Sequence, residues 1–149
     1  MMKDEDWMRA ALSSAKEAQA AGEVPVGCVI IKDNQLISRG FNSPISLTDP
    51  TAHAEIQALR HAGQVLDNYR LNDVTLYVTL EPCLMCLGAM LHARIGRLVF
   101  GAYDGKVGAA NTFLNSKLID RFNHTPLVDG GVLEKECSEL LRSFFKQKR

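Results

Sequence analysis

The sequence has no excess charge of either sign. Its 17 lysines and arginines are matched by 17 aspartates and glutamates. A broadly basic surface for nucleic acid is thereby excluded, although a local basic patch is not. Cysteine is scarce, with four in 149 residues. That is too few for the disulfide framework of a small secreted domain. The chain therefore reads as a protein of a reducing compartment, the cytoplasm. No apolar run approaches the roughly 20 residues of a membrane span. The start, Met1-Met2-Lys3-Asp4-Glu5-Asp6, has no apolar leader core. Repeats, low-complexity tracts and linkers are also lacking. Residues 1–149 thus read as a single α/β domain, long enough to bury a core.

What is present alternates between two periods. Met8, Ala11, Leu12, Ala15 and Ala18 mark one helical face from Asp4 to Ala21, and Gly22 ends it. Val26–Ile31 and Leu36–Gly40 read as a hairpin about the turn Asp33-Asn34. Asn42–Pro50 is a loop by composition. A short helix is expected from His53 to about Gly63. Val74–Leu80 is apolar and β-branched, a central strand. A helix from Cys83 to Ala93 and a strand from Arg97 to Gly101 follow. Strand, crossover helix, strand implies parallel pairing. Tyr103–Thr112 reads as a loop, 115–123 as a short helix and Leu127–Gly130 as an edge strand. The final helix begins at Val132, with Leu133, Cys137, Leu140, Leu141 and Phe144 on its apolar side.

Chemistry concentrates in two stretches, Thr51-Ala52-His53-Ala54-Glu55 and Glu81-Pro82-Cys83-Leu84-Met85-Cys86. A hydrolytic zinc takes three protein ligands and keeps a fourth position for water. His53, Cys83 and Cys86 supply three, and Glu55 remains as an acid–base group. Cys83 and Cys86, at i and i+3, share a helix face. Pro82 suits a first helical turn, and Thr51 is a plausible N-cap for the His53 helix. Both ligand stretches then sit at helix N-termini, where the dipole favours thiolate. Cys83 and Cys86 could instead be a redox dithiol or two buried thiols; zinc content separates these. Cys28 and Cys137 read as small buried hydrophobes.

The pattern His53-x-Glu55…Pro82-Cys83-x-x-Cys86 matches the base-deaminase signature. Read whole, the chain resembles the bacterial tRNA-specific adenosine deaminases of the cytidine-deaminase-like superfamily. The likeness rests on Glu23-Val24-Pro25-Val26-Gly27, Asp49 to Glu55, Asn68-Tyr69-Arg70-Leu71, Thr75 to Cys83, Arg94-Ile95 and Val99-Phe100-Gly101-Ala102. Leu87 stands where the family usually has alanine, and Asn111-Thr112 where Gly-Ser is common. The resemblance implies a three-layer α/β/α fold with a central mixed five-stranded sheet. It implies one zinc per chain and a homodimer. The implied substrate is a tRNA anticodon stem-loop, with DNA not expected as a natural one.

On that reading Glu55 shuttles the proton while water attacks C6 of adenine. Val26, Asn42, Ala54, Asp104, Lys106, Phe144 and Phe145 are the candidate substrate contacts. Asn42 offers an amide to a purine edge, and Ala54 a backbone N–H near the zinc. Phe144 and Phe145 could stack on bases or belong to the core. Asp104 is a candidate for preferring the RNA 2′-hydroxyl, or a turn residue. Lys106, Lys146, Lys148 and Arg149 are phosphate candidates, while His61, His92 and His124 read as surface or packing residues. A free-base or nucleoside deaminase would use the same metal set. A non-catalytic RNA-binding subunit would not need Glu55.

Overall fold

The computed structural model describes residues 1–148. Helix α1 (Asp4–Ala20) opens with three acids on its first turn. There the Lys3 N–H donates to Asp6 at 2.9 Å, and negative charge suits the helix dipole. Strands β1 (Gly27–Lys32) and β2 (Gln35–Phe41) form the expected hairpin. Asp33 and Asn34 both take positive φ, 51° and 58°, the geometry of a tight turn whose twist matches its strands.

The loop after β2 contains a short helix, α2 (Pro44–Leu47), that composition did not suggest. Helix α3 (Ala54–Leu66) passes through Gly63 and stops at Asp67, which takes the left-handed conformation. Strand β3 (Thr75–Leu80), helix α4 (Leu84–Ala93) and strand β4 (Arg97–Ala102) make a parallel crossover unit. The helix expected at 115–123 is instead α5 (Ala110–Leu114) followed by a 3-10 turn over Lys117–Arg121. Ser116 separates the two, its hydroxyl accepting from the Leu118 N–H at 3.3 Å, a local bond that competes with helix continuation. Strand β5 (Leu127–Gly130) and helix α6 (Glu134–Lys148) complete the chain. Helix α6 starts two residues later than expected because Leu133 has φ 53°.

The sheet runs β2-β1-β3-β4-β5, antiparallel on the β1 side and parallel from β3 onward. This is the mixed five-stranded, three-layer architecture implied by the resemblance. Period-two alternation sends Cys28 and Ile30 to one face with α3 and α4, and Val29 and Ile31 to the other with α1 and α6. Two glycines let helices approach closely. A Cβ at Gly27 would lie 2.0 Å from the Ala11 carbonyl oxygen, and one at Gly40 2.5 Å from that of Ala54. Gly40 therefore sets how near the start of α3 lies to the sheet. Arg97 ties α1 to β4 and β5. It donates to both Asp4 oxygens at 2.8 and 2.7 Å, and to Asp129. Among the described residues no helix is long and apolar enough to cross a membrane.

Candidate metal centre and deaminase site

His53 and Cys83 are the N-cap residues of α3 and α4, both with extended backbone. Two sequence expectations are corrected here. Thr51 is not the cap; its N–H and hydroxyl both donate to Asp49 Oδ1 at 2.8 Å. Pro82 is not the first helical residue; it precedes the cap, and its carbonyl accepts the Ala109 N–H at 2.9 Å. Neither side chain makes a capping hydrogen bond to its own helix. His53 and Cys83 turn instead into the space between the two helix N-termini, where the imidazole meets the thiols. Cys86 lies three residues into α4 and is fully buried.

His53, Cys83 and Cys86 present ligand atoms that all lie within 4.8 Å of one another. Nδ1 of His53 is 3.6 Å from Cys83 Sγ and 3.4 Å from Cys86 Sγ. Tetrahedral zinc with bonds of about 2.3 Å to sulfur and about 2.0 Å to nitrogen would hold these atoms about 3.6 Å apart. The donor set therefore fits zinc in spacing as well as in chemistry. The Cys86 thiol, then the amides at the start of α4, holds Cys83 down at about 5. Cys86 is pushed up, first by that same bond to Cys83 and then by burial.

Glu55 is on the first turn of α3 and only 4 % exposed. Burial raises its carboxyl to about 7, against the pull of its own backbone N–H and of His53. A carboxyl near the pH of the solution can both take and give a proton.

Residues 1–102 match the family model for the cytidine and deoxycytidylate deaminase zinc-binding region. The tRNA-specific adenosine deaminase of Haemophilus influenzae is 52 % identical over 147 residues, spanning 98 % of this chain and 85 % of that protein. The chain belongs to the tRNA-specific adenosine deaminase family. A deaminase structure from work on A-to-I editing by tRNA:A34 deaminases at the wobble position is 42 % identical. It covers 91 % of this chain and 99 % of its own, with a TM-score of 0.86. The guanine deaminase of Bacillus subtilis is also 42 % identical, over 68 % of this chain and 66 % of its own, at a TM-score of 0.66.

In this deaminase three of the predicted substrate residues form one hydrogen-bonded line. The Val26 carbonyl accepts the Asn42 N–H at 3.1 Å, and Asn42 Oδ1 accepts the Ala54 N–H at 2.9 Å. The Ala54 N–H is thus already taken, and the Asn42 amide nitrogen is the group left for a ligand. Asp104 is a turn residue. Its Oδ1 accepts the N–H groups of Lys106 and Val107 at 3.0 and 3.2 Å. One carboxylate oxygen is therefore engaged within the loop's own turn. Lys106 is exposed on the same loop. Phe144 is buried and Phe145 is exposed, their rings edge to face. Both border a cavity of about 380 Å³ with Asn42, Ile45 and Lys148. Phe144 is thus a core residue, and Phe145 carries the exposed aromatic surface. Lys146 and Lys148 are exposed, and Arg149 lies outside the described residues. Leu87 and the thiols of Cys28 and Cys137 are buried, as packing required. His124 meets the Ile95 carbonyl at 2.8 Å, His92 lies edge-on to Phe122, and His61 is exposed.

Sequence reasoning missed two buried carboxylates that shape the rim. Glu23 accepts from the Ile45 and Ser46 N–H groups and the Ser46 hydroxyl. Burial opposes its charge, but these donors hold its carboxyl below the usual value. Glu81 accepts from the Asp104 and Asn111 N–H groups. The available signal was a lone acid beside an apolar stretch, Val24-Pro25-Val26 leading into β1 in one case and strand β3 (Thr75–Leu80) in the other.

Proposed function

We propose that this protein removes the amino group of adenosine at the wobble position of a tRNA anticodon loop, leaving inosine. The observation that carries the reading is the buried Glu55 carboxyl beside the His53, Cys83 and Cys86 set. Zinc, when bound, makes hydroxide available near neutral pH by lowering the pKa of water to about 7. Glu55 takes the proton released as water adds to C6 of the purine and delivers it to ring N1. It then takes the proton of the new C6 hydroxyl and gives it to the departing nitrogen as the C6 carbonyl forms and the C–N bond breaks, so one water is consumed and one ammonia released. The Asn42 amide, held by Ala54, orients the base. Phe145, Lys106, Lys146 and Lys148 meet the splayed loop, with Val26 and Phe144 supporting from beneath. Asp104 shapes the loop that carries Lys106.

Residues 1–149 are read as one deaminase domain of the cytoplasm. Helices from both ends of the chain, α1 and α6, pack on the same sheet face, which supports a single unit. An apolar groove of about 810 Å³ along α3 and α4, with Ile56, Leu59, Leu71 and Ala89, supports a homodimer. Sedimentation at micromolar concentration reads that state, and a monomer there would count against it.

The second reading is a free-base deaminase, favoured by the guanine deaminase likeness. The exposed cations and aromatic of α6 favour RNA, since a small base needs no such rim. The deciding experiment is inosine formation in an anticodon stem-loop RNA, with and without a chelator, beside guanine and cytosine as free bases. Deamination of guanine with the RNA untouched would reverse the assignment.

A further inference from the structure

Glu81 follows β3 directly and stands two residues before the metal ligand Cys83. Its side chain is only 6 % exposed. Among the described residues no lysine or arginine pairs with it; its oxygens face main chain. Oε1 accepts the Asp104 N–H at 3.1 Å, and Oε2 accepts the Asn111 N–H at 3.4 Å. These are the start of the rim loop 104–109 and the first turn of α5 that follows it. Between them the Ala109 N–H donates to the carbonyl of Pro82 at 2.9 Å. Gly108 packs between the Asp104 carbonyl oxygen and the carboxyl group, where an added Cβ would crowd the first and lie 2.6 Å from Glu81 Cδ. A buried charge is a costly way to fasten a loop, because it gives up its hydration. A neutral turn would serve if the loop only needed to close.

We propose that Glu81 is a positioning residue that fastens the 104–109 loop, with Asp104 and Lys106, and the start of α5 at a set height beside the metal ligand Cys83. Substrate engagement through that loop then depends on the carboxylate, while the proton chemistry at Glu55 does not. The binding consequence rests on the RNA reading above; the fastening itself does not.

The experiment compares wild type, Glu81→Gln and Gly108→Ala as zinc-loaded proteins. An amide in place of the carboxylate turns a donor toward one loop end, so one N–H is left without an acceptor. Hydrogen exchange at the amides of Asp104 and Asn111 is expected to quicken by about tenfold or more, the scale of one lost hydrogen bond to a charged acceptor. KM for the stem-loop RNA should rise by a similar factor, with kcat and zinc content held. Gly108→Ala crowds the Asp104 carbonyl as well as the carboxyl, and should give the same pattern. The two together should be less than additive, because either releases the same loop. Unchanged exchange at both amides in a folded Glu81→Gln protein would overturn the proposal. So would a fall in kcat with zinc lost and KM unchanged, which would make Glu81 a support of the metal site instead. Should wild type leave RNA untouched, the activity reading fails, and exchange in the two variants still decides the fastening.

Discussion

Replacing Glu55 by glutamine separates the two consequences of burying that carboxyl. The folded value of about 7 stands against an ordinary 4.5. The gap corresponds to about 3 kcal/mol. Its sign follows from which form burial disfavours. The neutral acid is the form the fold accepts, so stability is full below about pH 4.5. It is lost as pH rises through about 7, where the folded protein must carry a buried charge. Glutamine never ionises. In metal-free protein the unfolding free energy of Glu55→Gln relative to wild type should therefore grow by about 2–3 kcal/mol between pH 5 and pH 8. Urea unfolding at a series of pH values measures this. With zinc bound the difference should shrink, because a nearby cation favours the carboxylate. Turnover should fall by at least about 10²-fold in the same variant, with zinc content unchanged. A stability difference that does not vary with pH would refute the account of Glu55 as a desolvated acid. Turnover near the wild-type rate would remove it from the mechanism.

Three other outcomes are expected. Cys83→Ala should lose zinc and lower the thermal midpoint, because thiolate bonding is coupled to folding; full metal content by elemental analysis would reject Cys83 as a ligand. Asp4 is held below its ordinary 3.8, first by the Arg97 hydrogen bonds, so its contribution is present above about pH 4 and disappears on acidification. Thermal unfolding of Arg97→Met should accordingly fall less steeply below pH 4 than wild type, and parallel curves would contradict the pairing. Ending the chain after Phe144 removes Phe145, Lys146, Lys148 and Arg149. The log–log salt dependence of RNA binding should flatten by about 0.7 for each lost phosphate contact, whereas an identical slope would make that tail a solvated face.

Residue types and spacing alone determined a great deal of this protein. Hydrophobic period picked out five strands and the main helices because burial of one face is a local property of sequence. The metal set was legible because zinc chemistry demands particular donors: His53, Cys83, Cys86 and a separate carboxylate at Glu55. Turn chemistry was legible at Asp33-Asn34 for the same reason.

Tertiary contact decided the rest. Thr51 and Pro82 carry the right propensities for a cap and a first turn, yet neither takes that place. His53 and Cys83 occupy the caps instead, both with extended backbone, and the packing of α3 against α4 brings them together with Cys86. Phe144 and Phe145 are the same residue type in sequence, and helix rotation alone buries one and exposes the other. Asp104 stood between a 2′-hydroxyl contact and a turn residue, and the fold sets its Oδ1 on the Lys106 and Val107 N–H groups. Glu81 had no visible partner within its own stretch. Its partners are backbone amides 23 and 30 residues away, and every residue except proline carries such a donor. Sequence identity says nothing about which of them will be near, so only the folded chain could assign that carboxylate a task.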